Sequence, residues 1–141
     1  MRRLLAAPQF AAPAANDTAA SDRDPRIARA LDAIAAHPSH RWTVASLAKI
    51  AGASRAAFAR RFAAEVGVPP MRHVAATRLR IAAEQLTESD APLAEVATAV
   101  GYATEFALSR AFRRFIGVPP GAYRRRLRAG ALPAAPRCLA A

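Results

Sequence analysis

The side chains best suited to chemistry in this sequence lie on two short stripes. One holds Glu105, Phe106, Ser109 and Arg110, with Arg113 on the same side and Arg114 beside it. The other holds Ala56, Ala59 and Arg60, with Arg55 on its flank. At 100° per residue each set falls on one side of a helix. Their chemistry is recognition rather than bond making. An arginine guanidinium can grip guanine O6 and N7 together, serine can serve any base edge, a carboxylate can accept from cytosine N4, and alanine or a phenyl ring can lie on a thymine methyl. Glu105 also fits a first-turn acid facing the helix dipole, and Phe106 also fits packing onto a neighbouring helix. Arg55, Arg72, Arg113, Arg114 and Arg124 suit phosphates, which position without specifying. Reactive sets are missing. Cys138 is the single thiol, so no intramolecular disulfide is possible, and His37, His40 and His73 show no metal spacing. No paired carboxylates, triad or Gly-rich phosphate loop appears, no cofactor is implied, and no small-molecule pocket can be read from the chain.

These stripes need helices to carry them. Leu93, Val96 and Val100 recur at helical spacing, Gly101 breaks the pattern, and Thr104 is an N-cap for a second helix in which Leu108, Phe112 and Phe115 form the inward stripe. Gly117 and Pro119-Pro120 end it. A short helix, a Gly turn and a second helix with a basic outer face form the helix-turn-helix pattern. The pattern occurs twice. Leu47 to Pro70 aligns with Val96 to Pro120, pairing Gly52 with Gly101, Ser54 with Thr104, Phe58 with Leu108, Arg60 with Arg110 and Phe62 with Phe112, and both copies close in Gly-Val-Pro-Pro. In the first copy Thr43 caps a helix over 44–51 with Val44, Leu47 and Ile50 inward, and Trp42 sits as a hydrophobic staple. Phe58, Phe62 and Val66 face inward from the helix that follows. Between the copies, 70–87 reads as one uninterrupted helix with apolar contacts from Met71, Val74, Leu79, Ile81 and Leu86. At 1.5 Å per residue it spans about 27 Å, comparable with the ~34 Å turn of B-DNA. Asp24-Pro25 starts an earlier helix with Ile27, Leu31 and Ile34 inward, and a final helix spans 120–128. The expectation is an all-α chain of about seven helices. Its core domain is 24–128, with helix-turn-helix units at 43–66 and 92–117 and tails at 1–23 and 129–141 that lack periodicity and are expected to be disordered.

Composition agrees. Of 141 residues 53% are hydrophobic but only 6% aromatic, which favours closely packed helices over strands. The formal net charge is +11, and every basic residue except Lys49 is arginine. From Ser54 to Arg128 the net is +7. A balance this basic points to a polyanion partner. The start of the chain imitates a signal peptide, but Pro8 and Pro13 interrupt its apolar run, and no stretch is long enough for a membrane span. The expected place is the cytoplasm, at the nucleoid.

Trp42-Thr43-Val44 with Leu47-Ala48, Ser54 to Phe62, and GYATEFALSRAFRRFIGVPPGAYR from Gly101 to Arg124 resemble the DNA-binding domain of the AraC/XylS family of bacterial transcription regulators. The resemblance covers about residues 25 to 128. It implies double-stranded DNA at a promoter or operator as partner, admits RNA polymerase as a second, and gives the 70–87 helix the role of linker between two readers. The family typically carries longer polar or aromatic side chains where Ala56 and Ala59 stand, so sharper specificity is expected from the second reader. Family members mostly carry an additional amino-terminal effector or dimerisation domain, so the chain fits either a small stand-alone member or the DNA-binding part of a longer regulator. Related modules are fused to DNA-repair methyltransferases, but Cys138 lies in the expected tail, outside any surface that could activate it. A non-specific coat for membranes or RNA is disfavoured by the duplication.

If six to eight phosphates are neutralised, log K for DNA should fall against log salt with a slope of roughly −5 to −7. A titration from low to moderate salt with a slope near zero would remove DNA as the partner.

Overall fold

The computed structural model describes residues 23–130. The two outer tails, including Cys138 and the signal-like start, lie outside or at the margin of these residues. Seven helices follow one another and no strand occurs among the described residues: α1 (Pro25–Ala36), α2 (Val44–Ala51), α3 (Arg55–Val66), α4 (Pro70–Glu88), α5 (Leu93–Val100), α6 (Glu105–Ile116) and α7 (Pro120–Arg128). The all-α expectation holds. None of these helices is long and apolar enough to cross a membrane.

Local chemistry explains where the helices begin. The Asp24 carboxylate accepts from the Arg26 backbone N–H at 2.9 Å with Pro25 in the first turn, and Ser54 and Thr104 accept from Ala57 and Ala107. Thr43 and Ser46 form a reciprocal capping box at α2. The Asp24 pKa falls to about 2, first because its side chain is hydrogen-bonded to the Arg26 guanidinium and next because it accepts the Arg26 N–H. Trp42 is 8% exposed and its Nε1 donates to the His37 carbonyl at 2.9 Å, so it is a core residue.

Two apolar cores result, and α4 contributes to both. The first unites Ile27, Ala30 and Ile34 of α1 with Trp42, Leu47, Ala48, Ala51, Phe58, Phe62 and Val74. The second unites Ala76, Leu79, Ala82, Ala83 and Leu86 of α4 with Val96, Val100, Leu108, Phe112 and Tyr123. Phe112 meets Tyr123 edge-on at 5.2 Å between ring centroids. One inward assignment, Ile50, and one apolar contact, Met71, are corrected. Ile50 and Met71 are each 37% exposed. In α2 the buried stripe runs through Leu47, Ala48 and Ala51, and Ile50 falls on its flank. Met71 lies in the first turn of α4, where the buried positions are Pro70 and Val74.

Gly101 and Gly117 share the left-handed φ of 100°, a conformation that side chains resist. Their surroundings differ. A Cβ on Gly101 would lie 2.9 Å from Ser39 Cα and 3.0 Å from Ser39 O, while one on Gly117 would meet nothing within 4 Å. Gly117→Ala is therefore expected to cost about 1–2 kcal/mol from backbone conformation alone, and Gly101→Ala more, because the Ser39 backbone must move. Urea unfolding of the two variants checks the order.

Candidate nucleic-acid interface

The two candidate stripes stand on α3 and α6, each the second helix of its unit and each entered through a left-handed glycine, Gly52 or Gly101, that caps the preceding helix. Inward anchoring fixes which side is presented. Phe58 and Phe62 are buried in α3, and Leu108 and Phe112 in α6. On the other side of α3, Arg55, Ala56 and Arg60 are exposed and Ala59 is half-buried. On α6, Phe106, Arg110, Arg113 and Arg114 are exposed, and Glu105 and Ser109 are half-buried. Phe106 is 68% exposed, which excludes packing onto a neighbouring helix as its role in this structure. The ring lies uncovered beside exposed guanidinium groups on the same face of α6.

The arginines divide by what occupies their donors. Arg61 pairs with Glu65 at 2.7 Å, Arg26 with Asp24 at 2.8 Å, and Arg80 with Glu84 at 3.2 Å. Arg29 donates to the carbonyls of Ile50 and Ala51, closing the end of α2. The side chains of Arg55, Arg60, Arg110, Arg113 and Arg114 have no hydrogen bond or ion pair among the described residues and remain open to a ligand. Arg72 is exposed with its guanidinium 5.2 Å from the Phe115 ring centroid, which places its charge beside α6.

Arg124 is corrected. Its Nε donates to Leu86 O at 3.1 Å and its Nη2 to Ser89 O at 3.1 Å and Ala91 O at 2.9 Å. It closes the end of α4 and holds the turn into α5, so these donors are not available to phosphate. The identity of the residue gave no sign of this, because the acceptors lie more than 30 positions away in the chain. His73 adds no charge near neutral pH, since burial, with help from the charges of Arg80 and Arg23, pushes its pKa down to about 4. No metal-binding cluster of His, Cys, Asp or Glu occurs among the described residues. A cleft of about 370 Å³, which the sequence did not announce, lies between α1 and α3, lined by Ile27, Ala57 and Phe58 with Arg60 and Arg61 among its polar residues.

Two helix-turn-helix units in one chain, each presenting an exposed, arginine-bearing helix, define a double helix-turn-helix nucleic-acid-binding protein. A family model described as a helix-turn-helix domain matches residues 47–126. A Streptomyces antibioticus protein described as an AraC-like transcription regulator is 47% identical over 102 residues, 72% of this chain and 34% of its own length. The RCS-specific transcriptional activator RclR of Escherichia coli K12 is 40% identical over 104 residues, 74% of this chain and 37% of its own length. The crystal structure of the DNA-binding domain of AdpA in complex with a target DNA superposes with a TM-score of 0.71 at 34% identity, covering 74% of this chain and 94% of that one. The chain belongs to the AraC-type family of helix-turn-helix transcription regulators. It spans about a third of the length of the curated relatives it matches.

Arg124→Ala should act on folding rather than on contact. Loss of a half-buried charged donor serving three carbonyls should lower stability by about 1–3 kcal/mol, with DNA affinity below the melting transition kept within about threefold. Thermal unfolding and a binding titration on the same variant separate the two effects. An unchanged melting temperature with a large affinity loss would restore Arg124 to the phosphate set.

Proposed function

We propose that the protein is a sequence-specific DNA-binding transcription regulator, and that one chain reads two adjacent major-groove segments with α3 and α6. The observation that carries this reading is the pair of exposed stripes on α3 and α6, joined by a 19-residue connecting helix about 28 Å long, with open arginines on both. Arg110 is the principal base reader, supported by Ser109 and Glu105, with Phe106 against a thymine methyl. Arg60 carries most of the readout from the first helix, where Ala56 and Ala59 offer only apolar contact. Arg55, Arg72, Arg113 and Arg114 neutralise phosphates. The similarity to the DNA-bound AdpA domain supports double-stranded DNA as the partner. The regulator acts at the nucleoid, and RNA polymerase is its second partner where it activates. Its role is recognition, with no catalytic step.

Selection of bound sites from a random DNA pool, followed by footprinting, tests this. The selected site should be asymmetric, with two elements about 10 base pairs apart and the element under α6 better defined. Inserting five base pairs between them should reduce affinity toward that of one reader. On the selected site Arg110→Ala should cost about 1–3 kcal/mol and relax preference at one or two positions, whereas Arg113→Ala should weaken all sequences about equally. A palindrome occupied by two chains, or identical mismatch profiles for the two variants, would overturn the assignment.

A further inference from the structure

We propose that Arg78 is a positioning residue that fixes the orientation of one reader relative to the other, and thereby sets the half-site spacing the protein accepts. The inference rests on the two-reader model above and names the device that holds the readers in register. Arg78 lies in the middle of α4. Its Nε donates to Pro38 O at 2.8 Å and its Nη2 to His40 O at 2.7 Å, both in the loop between α1 and α2 of the first unit. The same guanidinium lies 5.6 Å from the centroid of Tyr102, in the turn of the second unit. One side chain on the linker thus touches both units. A planar fork can hold two carbonyls and stack on a ring at once, which an ammonium cannot do.

The backbones also meet at this point. The near-overlap that a Cβ on Gly101 would make with Ser39 Cα and O shows the turn of the second unit seated on the loop of the first. The equivalent turn residue of the first unit, Gly52, would meet only Arg29 Nη2 at 4.0 Å. The crowding therefore belongs to the junction and not to the helix-turn-helix turn as such. A second bridge, Arg72 over Phe115, ties the start of α4 to the end of α6. A connecting helix alone fixes a separation, whereas contacts away from its axis also fix a rotation. Rotation matters because each base pair added between half-sites turns the second by about 34° and moves it about 3.4 Å.

The test uses the full chain carrying Cys138→Ser, with spin labels at Ala64→Cys in α3 and Ala94→Cys in α5, both exposed positions. In the free protein the label–label distance distribution should be narrow, and Arg78→Met should broaden it. On DNA, the selected site is varied by two base pairs in either direction. The parent should lose about tenfold or more in affinity at each altered spacing, and Arg78→Met should flatten the profile to within about threefold. Both should bind a single half-site equally. Tyr102→Phe, which keeps the ring, should behave as the parent, and Tyr102→Leu should flatten the profile in part. If Arg78→Met does not fold, Tyr102→Leu carries the same two measurements. A folded variant with the parent's spacing profile and a narrow distance distribution overturns the proposal. A parent indifferent to spacing overturns the two-reader model itself, while the label distances, which need no DNA, still decide whether Arg78 holds the orientation.

Discussion

The structure depends on α4 serving two cores at once. Val74 completes the core beneath α1, α2 and α3, and from the next half-turn onward Ala76, Leu79, Ala82, Ala83 and Leu86 form the floor of the other. A helix embedded at both ends cannot swing as a tether would, because any tilt opens voids in close-packed apolar contacts. The small residues matter here. Ala76, Ala82 and Ala83 of α4 are buried, and the large rings of Phe58, Phe62 and Phe112 fill the two cores. The arrangement makes a stiff frame from a chain that is 6% aromatic.

Arginine has two kinds of work in this frame. Arg29, Arg78 and Arg124 each place guanidinium donors on carbonyls at helix ends or loops, where the last carbonyls of a helix lack internal partners and cations are favoured. Hydrogen bonding to these carbonyls turns them into struts. Arg55, Arg60, Arg110, Arg113 and Arg114 project from helices whose inward faces are filled by Phe and Leu, and no acceptor comes within reach among the described residues. In the proposed two-reader mode the open set supplies the recognition contacts, while the closed set braces the helix ends and loops behind them. Phe106 belongs with the open set. Its ring is exposed because residue 106 faces away from Leu108 and Phe112, which hold α6 to the core.

The two units are unequal. Both use a capping hydroxyl, a left-handed glycine and a pair of inward apolar residues, but only the turn of the second is pressed against its neighbour. The first carries a shallow, alanine-lined surface on α3 and a cleft toward α1. Such asymmetry suits a chain whose halves do different work on one continuous ligand.

What the sequence determined by itself is local or periodic. Asp24, Thr43, Ser54 and Thr104 mark helix starts because a side-chain oxygen can satisfy an N–H two or three residues on. Gly52 and Gly101 mark turns because they tolerate positive φ. The internal duplication and the stripes on α3 and α6 follow from spacing along the chain, and with them the fold class and the family. What only the tertiary structure decided is pairing across distance. Nothing in the sequence distinguishes Arg124, which closes α4, from Arg113, which stays open, or Arg78, which joins the units, from Arg72 six positions earlier. Nor does periodicity leave Ile50 partly exposed while Ala51 is buried. The reason is physical. A guanidinium has the same donors everywhere, and whether they meet a carbonyl, a carboxylate or water is set by elements brought together only when both cores close around α4.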